Sequence, residues 1–322
     1  MYLGHVVKYP GFKETEEELY LDPDTLTTHC VIVGMTGSGK TGLATVLLEE
    51  ALIHGVPVAV IDPKGDSVNI ALRLRTPEEY LKWIEAEEAV RSGMLPEEYA
   101  REVFEKHEES LRKYNLIDRR EKLFEESEVI VVTPGSTAGI PLSLLSELTP
   151  PDTLNWKEHE EVLLNKIKVT VSALLELAGR PSDPLKSYEH VLISSIVEYC
   201  WRRKEPLDYS KLLSYIIDPP LDRIGALEVD AFMPVSERKK LARDLNRVLA
   251  SPGFRTWFTG VPLDFNKLFW SPEGKPRAVV FYLAHLEPSE RMFAVTLILE
   301  ALYSWMFTRP GSSKLRYLLY FD

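Results

Sequence analysis

The residues with the clearest chemistry form a glycine-rich loop that ends in a lysine and a threonine. The loop consists of Gly34, Met35, Thr36, Gly37, Ser38, Gly39, Lys40 and Thr41, and Gly42 follows it. Glycines let such a loop wrap a phosphate closely, because backbone N–H groups can point inward where a Cβ would collide. The lysine brings a compact positive charge to the β and γ phosphates, and the threonine hydroxyl is a ligand for Mg²⁺. This Walker A pattern predicts binding of a nucleoside triphosphate together with Mg²⁺.

A site of this kind also needs a carboxylate at the end of a neighbouring strand, where it holds a water of the Mg²⁺ shell. The apolar run at 318–321 (LLYF) ends in Asp322, which is the first candidate for this catalytic and metal-binding role. The apolar run at 58–61 (VAVI) ends in Asp62, which is the alternative.

The elements around the loop have the order expected of a parallel α/β sheet. The run at 29–33 (HCVIV) predicts a buried strand that leads into the loop, and 40–54 has the apolar spacing of a helix. Gly55 and Pro57 end that helix, and 58–61 predicts a second buried strand. Strand, loop, helix and strand together favour the α/β class.

The rest of the chain alternates between helical and strand patterns. We predict five segments: 1–75 and 251–322 as two parts of one ATPase core, 76–128 as a helical pair inserted into it, 129–150 as a core strand with its connection, and 151–250 as an all-helical subdomain. Further core strands are expected at 129–132, 278–283 and 315–321, with a helix at 288–308.

Composition excludes several classes of protein. The net charge of −11 argues against coating nucleic acid by bulk charge, although it permits a locally basic surface. No signal peptide or membrane span is recognisable, which favours the cytoplasm. The two cysteines, Cys30 and Cys200, form no metal or redox motif and are expected to be buried packing residues in a reducing compartment.

Four segments resemble the HerA/FtsK superfamily of P-loop ATPases, and most of all its HerA-type branch. They are THCVIVGMTGSGKTGL at 28–43, AVIDPKGD at 59–66, LAHLEPSERMFAVTLILEAL at 283–302 and LRYLLYFD at 315–322. The resemblance implies a RecA-like core with a mainly parallel sheet and large helical insertions. It also implies a ring, commonly a hexamer, that moves double-stranded DNA with ATP, and a possible partner nuclease.

The chain departs from that family in two places. The β-barrel that precedes the loop in typical HerA proteins does not fit in the residues before Thr28. The family usually continues after the strand acid with a catalytic Glu, a sensor strand and an arginine finger, whereas this sequence stops at Asp322, as an incomplete segment would. Lys40, Thr41 and Asp322 stabilise charge without activating the attacking water, so binding of ATP is predicted more firmly than its hydrolysis.

Other residues have both a functional and a purely structural interpretation. Asp62, Lys64 and Asp66 follow a strand at the ligand-binding edge of the sheet, yet could be a turn chosen for its geometry. His285 falls at the same edge and could contact a ligand or only solvent. A basic stretch could follow a phosphate backbone or form a solvated helix face. It contains Arg238, Lys239, Lys240, Arg243 and Arg247, with a weaker cluster at Arg202, Arg203 and Lys204.

Three functions therefore remain open at this stage. The first is an ATP-driven DNA translocase or helicase of the HerA type. The second is an ATPase that moves protein, as in conjugative and type IV secretion systems that share this core. The third is a switch or scaffold that binds ATP and hydrolyses little of it.

Overall fold

The computed structural model describes residues 1–11, 13–144, 148 and 154–322. The strands in chain order are β1 (Tyr2–Lys8), β2 (Lys13–Tyr20), β3 (Val58–Asp62), β4 (Glu128–Pro134), β5 (Ile140–Ser143), β6 (Arg223–Ile224), β7 (Leu227–Glu228), β8 (Val261–Pro262), β9 (Arg277–Tyr282) and β10 (Leu318–Phe321). The helices are α1 (Lys40–Ile53), α2 (Pro77–Leu81), α3 (Ala86–Arg91), α4 (Pro96–Lys113), α5 (Ile117–Glu126), α6 (Glu160–Leu177), α7 (Tyr188–Arg202), α8 (Tyr209–Ile217), α9 (Val229–Phe232), α10 (Val235–Leu249), α11 (Phe265–Leu268) and α12 (Pro288–Phe307).

A six-stranded sheet forms the centre, in the order β10-β3-β9-β4-β5-β8, and every pairing in it is parallel. Its middle strands are apolar on both faces, as parallel strands covered by helices must be. The α/β class with a mainly parallel sheet is therefore confirmed. The predicted strands at 58–61, 129–132, 278–283 and 315–321 are all present, with ends that differ by a few residues.

The two faces of the sheet pack against different helices. On one face, Val58 and Val60 of β3 lie in a cluster with Leu48 and Leu52 of α1. On the other, Ile61 joins a larger cluster that includes α6, α7 and α12. Successive residues of a strand point to opposite faces, so β3 lies between α1 on one face and α6, α7 and α12 on the other.

The segment 76–128 contains four helices instead of the expected pair, although α4 and α5 are the two long ones. Three residues explain the extra helix α2: Thr76 caps it in a capping box with Glu79, and Pro77 occupies its first position. In the described part of 151–250, helices α6 to α10 dominate, but a short antiparallel pair, β6 with β7, interrupts them.

The strand expected at 29–33 is wrong. Residues 29–35 have no regular structure, and the side chains of Val31 and Val33 are 80% and 83% exposed. A β-strand exists through pairing with a neighbour, and none of the described strands pairs with this segment. The sheet ends at β10 and β8, each of which has one neighbour among the described strands. Cys30, in the same segment, is consequently exposed rather than buried, whereas Cys200 is buried as expected.

Four strands that belong to the hairpin or to the central sheet have no counterpart in the sequence analysis. Strands β1 and β2 form an antiparallel hairpin before the loop, and β5 and β8 extend the sheet at one end. The hairpin is fixed to the core by Glu50 of α1, whose carboxylate accepts a hydrogen bond from the Tyr2 backbone N–H at 2.7 Å. Among the described residues, no helix is both long and apolar enough to cross a membrane.

Candidate nucleotide site

The glycine-rich loop folds back on itself in front of α1. Gly37 and Gly39 adopt φ values of 77° and 90°, a backbone region that favours glycine. A Cβ on Gly34 would lie 2.3 Å from Ser38 Oγ, so a side chain there would force Ser38 to move. The Ser38 N–H donates to the Met35 carbonyl at 3.1 Å, and Lys40 Nζ donates to the same carbonyl at 2.8 Å. The Lys40 ammonium is thus held against the backbone of the loop.

Helix α1 gives this loop its electrostatic character. The helix begins at Lys40, and Gly39 at its N-cap contributes no side-chain hydrogen bond, so the first-turn N–H groups remain available. Thr41 and Gly42 are exposed in that first turn. The end of the helix carries a positive partial charge of about half a unit, which favours an anion in front of it.

Asp62 stabilises the turn that follows β3. Its side chain is fully buried, and its carboxylate oxygens accept hydrogen bonds from the N–H groups of Gly65 at 2.7 Å and Val68 at 3.0 Å. Both oxygens of Asp62 are therefore occupied by backbone donors. Asp66, in the same turn, is exposed.

Asp322 lies at the end of the adjacent strand, and its surroundings differ. Its backbone N–H donates to the Ile61 carbonyl at 3.2 Å, which places it beside Asp62 at the carboxyl edge of the sheet. One oxygen of its carboxylate accepts a hydrogen bond from the Tyr320 hydroxyl at 3.2 Å, and the other lies 3.3 Å from Lys64 Nζ. Burial and the carboxylates of Asp322 and Asp62 raise the pKa of Tyr320 to about 12. The Asp322 carboxylate is thus paired with side chains, one of them exposed, rather than with backbone N–H groups.

His285 takes part in a cluster at the same edge. Its Nε2 lies 2.9 Å from the Pro134 carbonyl, and its ring stacks on Tyr282 with centroids 5.6 Å apart. Gly65 adjoins this cluster, because a Cβ there would lie 3.0 Å from the Tyr282 ring. His285 therefore has a structural environment that joins the ends of β4 and β9.

The structure brings Asp62, Lys64, Asp322 and His285 to one edge of the sheet. Within the described residues, no hydrogen bond or ion pair links the loop at 34–42 to Asp322. The sequence analysis missed Tyr320 and Tyr282, and it could not foresee the Lys64–Asp322 ion pair, because the two residues are far apart in the chain.

The basic stretch on α10 divides into two groups. Arg238 is buried, with 4% of its surface exposed, and pairs with Asp230, so it cannot belong to a solvated or phosphate-binding face. The acidic Asp244 pairs with Arg180 of another segment at 3.2 Å. The remaining cations are exposed and, among the described residues, have no ion pair; they are Lys239, Lys240, Arg243 and Arg247. In the second cluster, Arg202 is held by Glu160 and Glu198.

Comparison with known proteins finds a family and a partial relative. A family model described as the central domain of the helicase HerA matches residues 1–249, a range that includes the loop but not Asp322. The type 4 coupling protein DotL of Legionella pneumophila is 42% identical over 55 residues, which are 17% of this chain and 7% of DotL. The chain therefore aligns with only a small part of that relative's length.

The family match extends over well over half of the chain, and the fold that carries the loop is the parallel α/β sheet such a match requires. The chain belongs to the HerA central-domain family, a family of P-loop ATPases of the HerA/FtsK type.

Proposed function

We propose that this chain binds ATP with Mg²⁺ at residues 34–42 and acts as the ATPase subunit of an oligomeric ring that moves duplex DNA. The observation that carries the proposal is the loop itself, which binds Lys40 through the Met35 carbonyl and lies at the N-terminus of a helix that packs on a parallel sheet. P-loop ATPase families generally use ATP and Mg²⁺, and proteins of the HerA family are typically oligomeric.

Each residue of the site has a separate role in this proposal. The N–H groups of the loop and of the first turn of α1 bind the phosphate oxygens, and Lys40 leaves the Met35 carbonyl to meet the β and γ phosphates. The Thr41 hydroxyl and the Asp322 carboxylate are hard oxygen donors of the kind that Mg²⁺ accepts. The ion would neutralise phosphate charge at this position.

The α10 surface supports DNA as the cargo. Lys239, Arg243 and Arg247 lie four residues apart on one helix face and span about 12 Å along its axis. That length matches roughly three to four phosphates of one DNA strand. Two acids lie within this stretch: Asp244 pairs with Arg180, which also pairs with Glu189, and Glu237 is exposed at the start of the helix. The four exposed cations therefore outnumber the acids on α10.

Binding to linear duplex DNA at several salt concentrations tests the cargo. We expect the triple variant Lys239→Ala, Arg243→Ala, Arg247→Ala to bind more weakly and to reduce the slope of log K against log salt by roughly 2 to 3. A control variant with the same change of charge replaces Lys106, Lys186 and Lys267 by alanine. Each of these lysines forms an ion pair with an acid three or four residues before it. Equal slopes in the two triple variants would remove α10 from the interface.

A protein-moving ATPase is the second candidate, and the local identity to a type 4 coupling protein favours it. The two functions differ in their response to DNA. Binding of duplex DNA that strengthens with ATP, or ATP turnover that rises on addition of DNA, supports the DNA translocase. Nucleotide binding with no response to DNA in either assay favours the protein-moving ATPase or the nucleotide switch.

A further inference from the structure

Lys64 lies in the turn after β3, where the proposed nucleotide site assigns it no role. Its Nζ is 3.3 Å from Asp322 Oδ2, the carboxylate that the proposed function gives to Mg²⁺. We propose that Lys64 is the counterion of Asp322 and competes with the divalent cation, so that Mg²⁺ joins the site by exchange with Lys64. This inference rests on the proposed function.

The backbone fixes where Lys64 begins. Asp62 accepts hydrogen bonds from Gly65 and Val68, which holds the turn on both sides of Lys64. Gly65 has a φ of 91° and contacts the Tyr282 ring so closely that a Cβ would lie 3.0 Å from it. The turn therefore keeps one geometry, and the Lys64 side chain starts beside the end of β10.

The charges at this edge explain why a cation is held here. Asp62 and Asp322 end adjacent parallel strands, and the Asp322 side chain is only 14% exposed. Two neighbouring carboxylates repel each other, and partial burial strengthens the repulsion. Asp62 is stabilised by backbone N–H groups, whereas Asp322 has a Tyr320 hydroxyl and Lys64. Among the described residues, Lys64 is thus the cation that balances Asp322.

The same pair is easy to open. The Lys64 side chain is 62% exposed, so its ammonium can move into water at small cost. Ion pairs with an exposed partner contribute little to stability. A divalent ion between phosphates and a carboxylate has the stronger attraction, so Mg²⁺·ATP displaces Lys64, whereas Mg²⁺ without nucleotide lacks the phosphates that favour the exchange.

The exchange makes a prediction about the concentration of Mg²⁺ at which nucleotide binds. In Lys64→Met, Asp322 has no competing cation, and the Mg²⁺ concentration for half-maximal binding of a fluorescent ATP analogue should fall by about threefold to fivefold. Lys64→Arg keeps the charge and should behave as the wild type. Binding of Mg²⁺ to the free analogue is the same in every experiment. The ratio of two midpoints therefore reflects a difference between the two protein variants.

Lys314→Met is a matched control, because it removes an exposed lysine that pairs with Asp24 at 2.6 Å. Removing the carboxylate gives the second control: Asp322→Asn and the double variant with Lys64→Met should share one midpoint. Bound Mn²⁺, followed by electron paramagnetic resonance at saturating nucleotide, provides a readout without turnover.

A midpoint that is unchanged or raised in Lys64→Met overturns the inference while the wild type still binds nucleotide. Failure of the wild type to bind the analogue at any Mg²⁺ concentration overturns the proposed function, and the inference with it. A merely structural ion pair would lower the thermal stability of Lys64→Met and leave the Mg²⁺ midpoint where it was.

Discussion

Asp62 and Asp322 end neighbouring parallel strands, yet their surroundings give them different chemistry. Asp62 is fully buried, and backbone N–H groups occupy both its oxygens. Asp322 contacts two side chains, one of them the exposed Lys64. A carboxylate can exchange a side-chain partner for a metal ion more easily than it can give up backbone N–H groups. This difference favours Asp322 as the metal-binding acid.

Replacing each acid by asparagine separates the two roles. Asp62→Asn replaces one acceptor oxygen by an NH₂ group that faces a backbone N–H, and should lower the free energy of unfolding by about 1–3 kcal/mol. Asp322→Asn should leave stability nearly unchanged and weaken the Mg²⁺ dependence of nucleotide binding. Urea denaturation and Mg²⁺ titration of both variants measure this. The assignment is contradicted if the two effects are reversed.

Glu49 of α1 makes stability depend on pH. Burial, opposed by Arg73 and reinforced by Glu50, raises the pKa of Glu49 from its ordinary 4.5 to about 7. Between these two pH values the unfolded chain loses its proton while the folded chain keeps it, so the contribution of Glu49 to stability falls as pH rises. Glu49→Gln, which resembles the protonated form, should match the wild type near pH 4.

Above pH 7 the same variant should be more stable than the wild type by roughly 2–3 kcal/mol. Denaturation curves of both proteins at pH 4, 6 and 8 measure the difference. A difference that does not change with pH would show that Glu49 ionises in the folded chain as it does in water.

At the scale of elements, α1 connects the nucleotide loop to the N-terminal hairpin and to the inserted helices. Its first turn contains Lys40, and its last part contains Glu50, whose side chain is 6% exposed. Arg119 of α5 donates to both oxygens of Glu50, and its guanidinium lies over the Tyr2 ring. Three separate parts of the chain therefore meet at one buried carboxylate.

Replacing Arg119 alone should lower the free energy of unfolding more than replacing Arg119 and Glu50 together. Arg119→Met leaves the Glu50 charge buried with only the Tyr2 N–H, and should lower the free energy of unfolding by about 2–4 kcal/mol. The double variant Glu50→Gln, Arg119→Met has no unpaired charge and should recover part of that loss. Chemical denaturation of the single and double variants decides the matter. Additive losses would mean that the pair is not coupled.

The sequence predicts those elements whose signal is local. Strand β3 and helix α1 are recognisable because apolar spacing and glycine or proline ends define them. The run at 29–33 has the same β-branched composition but pairs with none of the described strands, and composition does not reveal whether a partner exists. Strands β5 and β8 are too short to show a periodicity. The Lys64–Asp322 and Glu50–Arg119 pairs depend on tertiary structure, so no spacing could reveal them.

At the scale of the whole molecule, an acidic chain carries a basic face on α10. The net charge is −11, yet four cations of α10 are exposed, and the acid nearest to them in sequence pairs elsewhere. An acidic body keeps nonspecific attraction to DNA weak, whereas a local basic face still contacts the backbone. Such a distribution would suit the proposed motor, which must bind duplex DNA and release it.

Binding of a fluorescent ATP analogue in the presence of Mg²⁺, by the wild type and by Lys40→Ala, tests the central claim most directly. Lys275→Ala, which removes a lysine from the turn before β9, is the control. The account predicts saturable binding by the wild type and the control, with a loss of at least tenfold in affinity for Lys40→Ala. Equal affinity in all three proteins, or no binding by the wild type, would contradict the claim that residues 34–42 form an ATP site.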